Sequence, residues 1–225
     1  MDGIFIVDKP VGVTSGAAAG MVRRCLKAEK SGHAGSLDKN ASGMLIVAVD
    51  KGVKLLQPLS SLDKVYHAAV SIHDDRDEGS IRKVLVSFIG ENIQIPPKRS
   101  AVSRKKRARN VYSLALIGVK GRKVHVEIHC QSGFYVRRFA AQLGEKLGCN
   151  SHLSSLRRIS IGPFGEAEMR EINLISSQGA CLIIHPPAIP SQPDSQIYLN
   201  LISDDPQYAP HISCSPQPRV QSVPK

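Results

Sequence analysis

Residues 31–49 read SGHAGSLDKNASGMLIVAV, and the change of character partway along decides the architecture. MLIVAV at 44–49 is apolar on both faces of an extended chain, the pattern of a strand in the middle of a sheet. What precedes it is a turn-rich loop in which Gly32, Gly35 and Gly43 permit close approach of another backbone, with a single carboxylate, Asp38, among them. An aspartate ahead of a strand ordinarily makes local hydrogen bonds to backbone N–H groups. With His33 able to stack or hydrogen-bond nearby, these residues describe a site without specifying its reaction.

Outward from this segment, the elements alternate without a regular βαβ repeat. GIFIV (3–7) reads as a buried strand ended by a turn at Pro10 and Gly12. Thr14 or Ser15 then caps a helix with Ala18, Met21, Val22, Cys25 and Leu26 on one face. VYHAAVSI (65–72) alternates weakly, and a solvated acidic turn leads to a helix capped by Ser80 and ended by Gly90. KVHVEIHC (123–130) alternates cleanly, with Val124, Val126, Ile128 and Cys130 inward. A helical stripe of Val136, Phe139, Ala140, Leu143 and Leu147 follows, then a last strand near 158–164. The expected fold class is mixed α/β (α+β): a largely antiparallel sheet flanked by helices. Residues 1–185 form the domain. Residues 186–225 hold nine of the fourteen prolines and only two basic residues, Arg219 and Lys225, and read as a tail without regular structure.

The net charge of +11 favours a polyanionic partner, nucleic acid ahead of an anionic membrane. Five scattered cysteines with no CxxC spacing argue against zinc and against a disulfide framework, and fit a reducing compartment. The N-terminus lacks the pattern of a secretory leader, and no apolar run approaches the ~20 residues that span a bilayer. The expectation is a cytoplasmic protein, nucleolar if eukaryotic. Charge is concentrated in KRSAVSRKKRAR (98–109), where seven of twelve residues are Lys or Arg. Its place inside the domain, between IPP and a strand-like NVYSLALIG, favours a structured edge that neutralises phosphates, with Lys105 and Arg107 as candidate contacts.

GHAGSLDKNASGML (32–45) resembles the catalytic motif of the TruB and dyskerin families of RNA pseudouridine synthases. Four further segments resemble family elements in family order: IVDKPVGVTS, KVYHA, GFYVRRFAAQLGEKLG and HLSSLRRISIGPF. The resemblance covers residues 3–164 and implies the pseudouridine synthase fold. It also implies a reaction in which a uridine is flipped out of RNA, its glycosidic bond is broken, and uracil is rejoined through C5, with no cofactor and no metal.

By that resemblance Asp38 is the catalytic nucleophile and Arg137 the arginine that pairs with it, Arg138 being the competing candidate. Tyr66 matches the tyrosine that stacks on the flipped base and takes part in proton relay. His33 matches a contact to the extruded nucleotides, Tyr135 a pocket tyrosine, and Leu156 an apolar pocket wall. Lys9 and Pro10 match a motif that buttresses the active-site loop, and Gly35 belongs to the same structural set. The partners implied are RNA (tRNA, with rRNA or an H/ACA guide RNA as alternatives) and ribonucleoprotein subunits, and neither DNA nor a membrane.

Two departures stand out. Lys39 replaces the proline that usually follows the catalytic aspartate, freeing φ and adding a charge. Residues 171–225 show neither the β-pattern nor the charge of the RNA-binding PUA domain of relatives. IPPKRSAVSRKKRARNVYSL (95–114) is closer to the dyskerin pattern, whose members act within box H/ACA ribonucleoproteins, whereas the lack of a PUA pattern favours stand-alone action on the T-loop uridine of tRNA. An RNA-binding or chaperone paralogue without chemistry is the alternative from another class.

Overall fold

The computed structural model describes residues 2–96 and 105–171. The apolar run lies in β3 (Ser42–Val49), in which every residue from 43 to 49 is buried. One edge of β3 pairs antiparallel with β1 (Gly3–Lys9), from Gly3 opposite Val49 to Lys9 opposite Gly43. Its other edge is divided. β8 (Ser151–Ile161) runs parallel beside Ser42 and Gly43, while β2 (Ser31–Ala34) runs antiparallel beside residues 46–49. The loop carrying Asp38 crosses the gap between them.

Beyond β8 come β4 (Lys64–Ile72), β7 (Lys123–Cys130), β6 (Arg107–Lys120) and β5 (Gly90–Gln94), all antiparallel; β9 (Arg170–Glu171) lies parallel beyond β1. The result is a mixed, largely antiparallel sheet with helices packed on it, as the alternation of apolar residues predicts. α1 (Ser15–Cys25) starts where the Thr14 side chain accepts from Ala17 N, and presses Ala18, Ala19 and Val22 onto Phe5, Val7, Leu45, Val47 and Val49. A 3-10 turn, Asp50–Leu55, leads into the short α2 (Leu56–Ser60). α3 (Glu78–Val86) and α4 (Val136–Leu147) cover the other half of the sheet, where all five residues of the α4 stripe meet the inward residues of β7 and β4.

Several expectations need correction. Asp77, not Ser80, caps α3, because its carboxylate accepts from both the backbone N and the hydroxyl of Ser80. α3 ends at Val86, and Gly90, with φ at 95°, opens β5, which periodicity did not indicate. The last strand starts seven residues before the expected 158: irregular pairing with β4 at two points breaks the alternation by which it would be read. Residues 31–34 are strand, not loop. Residues 98–104 of the basic run and the tail from 186 lie outside the described residues.

Cys130 ends β7 fully buried, and burial pushes its thiol up to about 12. Between pH 9 and 12 the unfolded chain loses a proton that the folded chain keeps, so stability falls as pH rises through that window. Wild type is therefore expected to lose about 2 kcal/mol relative to Cys130→Val between pH 8.5 and 10.5. Urea denaturation of both proteins at several pH values measures the gap, and a constant gap would show that the thiol titrates freely.

Candidate active site

The loop 35–41 is pinned to the segment 9–15 by groups that reach its backbone. Lys9, wholly buried at the end of β1, donates from Nζ to the carbonyls of Pro10 (2.8 Å), Val13 (2.8 Å) and Ala41 (2.5 Å). Gly12 N donates to Lys39 O at 2.8 Å. Ser15 Oγ accepts from Leu37 N at 2.8 Å and donates to Leu37 O at 3.2 Å. A buried ammonium needs such a ring of acceptors, and three carbonyls supply it. The segment DKPVGVTS thus physically supports the loop, through Lys9 and Ser15. Pro10 contributes an acceptor and is itself exposed.

Arg158 supports the same loop from β8. It is 1% exposed and has no carboxylate partner among the described residues; Nε donates to Met44 O and Nη2 to Gly35 O, both at 2.8 Å. Its own backbone passes so close to β3 that a Cβ on Gly43 (φ 100°) would stand 2.2 Å from Arg158 O. Lys64, 4% exposed, donates to Ser60 O at 2.7 Å, to Leu62 O and to Ser132 Oγ at 3.0 Å. Burial, reinforced by the Arg158 charge, draws the Lys64 ammonium down to about 8 and lowers Lys9 as well.

Held in this way, Asp38 stands half exposed and meets Arg137, with Oδ2 2.7 Å from Nε. Arg137 is the second residue of α4, so the carboxylate is paired with a side chain from the first turn of that helix. Arg138, one residue on, faces elsewhere: its Nε is shut from solvent and meets no partner among the described residues. Gln94, 3% exposed at the end of β5, fixes the start of α4 by accepting from Tyr135 N (2.8 Å) and donating to Tyr135 O (3.3 Å). Arg107 stands opposite Gln94 in the β5–β6 ladder, and exposed Lys105 lies just before it, so the basic run enters the sheet beside this clamp.

The ion pair opens onto a cleft of about 390 Å3, lined among others by Lys39, Leu153, Ser155 and Leu156. A neighbouring hollow of about 460 Å3 shares Asn40, Ser155 and Leu156 with it. Leu156 lines both hollows. Tyr66 lies below, 8% exposed, in the core with Leu37 and Ala41. Burial raises its phenol, against the charge and hydrogen bond of Arg158, so it is protonated at neutral pH. His33, on β2, is lowered by burial and then by Arg158; its Nδ1 has no partner among the described residues. His33, Tyr66 and Tyr135 are not among the residues that line the cleft.

Sequence reasoning assigned no role to Ser15 as a loop anchor, to Gln94, or to Lys64 and Arg158, although the last two lie within the family-like segments KVYHA and HLSSLRRISIGPF. Each bonds to backbone, or to a distant loop, in a way that leaves no periodic trace. Two signals were available: the place of Lys64 and Arg158 in those segments, and the pair Arg157-Arg158 within a strand, where alternation places one of the two inward.

Residues 23–136 match the model of the TruB family pseudouridylate synthase N-terminal domain. A probable tRNA pseudouridine synthase B of Pyrobaculum arsenaticum is 44% identical over 163 residues, 72% of this chain and 49% of the relative. One of Methanothermobacter thermautotrophicus is 40% identical over 164 residues, 73% and 51% of the two chains. The chain spans about half the length of these curated relatives. Among solved structures, a Cbf5-Nop10-Gar1 complex matches with a TM-score of 0.74 at 33% identity, covering 92% of this chain and 57% of that one. An H/ACA RNP bound to a substrate RNA containing 2'-deoxyuridine matches at 0.70 and 30% identity, with the same coverage. The architecture is thus the pseudouridine synthase fold, and the chain belongs to the TruB family of pseudouridylate synthases.

Proposed function

We propose that this chain is an RNA pseudouridine synthase that acts on the T-loop uridine of tRNA. The observation that carries the reading is the Asp38–Arg137 pair, 2.7 Å apart on a loop whose backbone is tied down by Lys9, Gly12, Ser15 and Arg158. Cleavage of the N1–C1′ bond requires a carboxylate presented to the ribose of an extruded nucleotide, whether by attack at C1′ or by elimination to a glycal. Arg137 orients that carboxylate through a fixed guanidinium, which a lysine would do less well. When the uracil is rejoined through C5, the C5–C1′ bond forms and the C5 hydrogen leaves. Tyr66, kept neutral by burial, is the phenol available for proton relay, and His33, Tyr135 and Leu156 serve substrate binding.

The test follows from the lost hydrogen. Purified protein incubated with tRNA transcript tritiated at uracil C5, without guide RNA, is expected to release tritium. The matches to Cbf5 complexes favour a second reading, in which the chain is the catalytic subunit of a guide-RNA particle and works with ribonucleoprotein partners in the cytoplasm or nucleolus. Release only with guide RNA and partner proteins would select that reading. No release under either condition would select a paralogue that binds RNA without chemistry.

A further inference from the structure

The C-terminal end of α1 and the 3-10 turn 50–55 build a surface that the reaction does not use. Asp50 ties the two together: its Oδ1 accepts from Glu29 N at 2.9 Å and Lys30 N at 3.0 Å, and its own N donates to Lys30 O at 3.1 Å. Arg23 Nη1 adds a bond to Glu29 O at 3.4 Å. Among the described residues, only Lys27 (φ 51°) and Asp50 (φ 50°) are non-glycine residues with positive φ, and both lie here. Such backbone is held only where its surroundings over-determine it, so the loop 26–30 is pre-shaped.

This rigid loop presents cations. Arg23, Arg24, Lys27, Lys30 and Lys54 are all exposed, and none has a carboxylate within 4.0 Å among the described residues. The opposing charges are few: Asp2 pairs with Lys51 at 3.7 Å, Asp50 is engaged by backbone N–H groups, and Glu29 is exposed. The helix dipole accounts for Arg23 and Arg24 in the last turn of α1 but not for the three lysines beyond it. The surface is also in register with the reaction. β2 runs directly from Lys30 toward Asp38, and eight residues of chain keep the two within about 28 Å.

We propose that this surface is a second contact for the phosphate backbone of structured RNA, outside the catalytic cleft, setting the register in which the target nucleotide reaches Asp38. The inference rests on the reading that the chain acts on RNA. Its function is positional: phosphate contacts fix orientation and carry no sequence information.

The test uses the full 225-residue chain and the variant Arg24→Gln/Lys27→Gln/Lys30→Gln/Lys54→Gln. All four side chains are exposed, and circular dichroism melts are expected to coincide with wild type. The Kd for tRNA transcript is measured by filter binding across 50–300 mM salt, with single-turnover tritium release at saturating RNA. The expected result is about 100-fold weaker binding near 0.15 M salt and a log–log salt slope about 3 shallower, with a lower single-turnover rate at saturation because RNA bound without these contacts is no longer held in register. Wild-type affinity and slope in the variant would overturn the proposal while leaving the enzymatic reading intact. Failure of the wild type to bind RNA would overturn both. RNA affinity unchanged in the variant, together with lost sedimentation on phosphatidylcholine–phosphatidylserine vesicles, would assign the surface to a membrane and overturn it also.

Discussion

Asp38→Ala is expected to abolish tritium release, by on the order of 10^4-fold or more, while RNA affinity stays at or slightly above the wild-type level. The first half follows from the position of the carboxylate: it is the acidic group lining the cleft and the one to which Arg137 is committed. The second half follows from charge. On the proposed function, Asp38 contributes a negative charge to a surface that approaches phosphates, and its removal frees the Arg137 guanidinium to meet one. A tightening of up to about tenfold, near 1.4 kcal/mol, is within what one freed cation supplies. Filter binding beside the activity assay separates the two roles. A large loss of affinity would show that Asp38 also shapes the RNA-binding surface, and residual turnover would remove it as the nucleophile.

Arg158→Ala carries the second large effect, on stability and rate together. The guanidinium is 1% exposed and satisfies the carbonyls of Met44 and Gly35, and its charge draws the Tyr66 phenol down against the effect of burial. Truncation leaves these acceptors dry and a cavity beneath the loop, a combination that costs about 3 kcal/mol or more. For a domain of this size that corresponds to roughly 6–12 °C in Tm. Arg158→Met, which fills much of the volume without donors, should fall between. Because Gly35 opens the Asp38 loop, the single-turnover rate should fall even where the protein remains folded. A Tm within about 2 °C of wild type would mean that the carbonyls find other partners.

The parts legible in the sequence were those written in periodicity or in contiguous motif. β7 is recovered to the residue because Val124, Val126, Ile128 and Cys130 alternate without interruption, and α4 because its five apolar residues share one helical face. The run 44–49 announces a central strand because it is apolar on both faces. β8 was only half visible, since its irregular pairing with β4 disrupts alternation, and β2 and β5 are too short and polar to show it. In the site, Asp38 and Arg137 were legible as motif, and geometry resolves the ambiguity between Arg137 and Arg138, which adjacency in sequence could not. The supporting roles of Arg158, Lys64 and Gln94 stayed hidden for a common reason, even though the first two lie in family-like segments. Apart from Ser132 Oγ, their partners are main-chain atoms 41 to 123 residues away or near neighbours in a turn, and a side chain bonded to backbone imposes no pattern on the residues it holds.

That last feature has a consequence for how the chain can change. The groups that pin the loop, Lys9 and Arg158, act as donors, and their acceptors are the carbonyls of Pro10, Val13, Ala41, Gly35 and Met44, which every amino acid possesses. Substitution at Val13, half-buried between the helix cap and the turn, alters a side chain while the bond to Lys9 persists. Tolerance is therefore lopsided: the donors are irreplaceable, whereas Pro10 and Val13, gripped outside the buried core, are free to drift so long as their backbone path survives. Lys39 is a case in point. Its carbonyl is held by Gly12 whatever its side chain, so an unusual residue can stand beside Asp38 without loosening the loop that presents it.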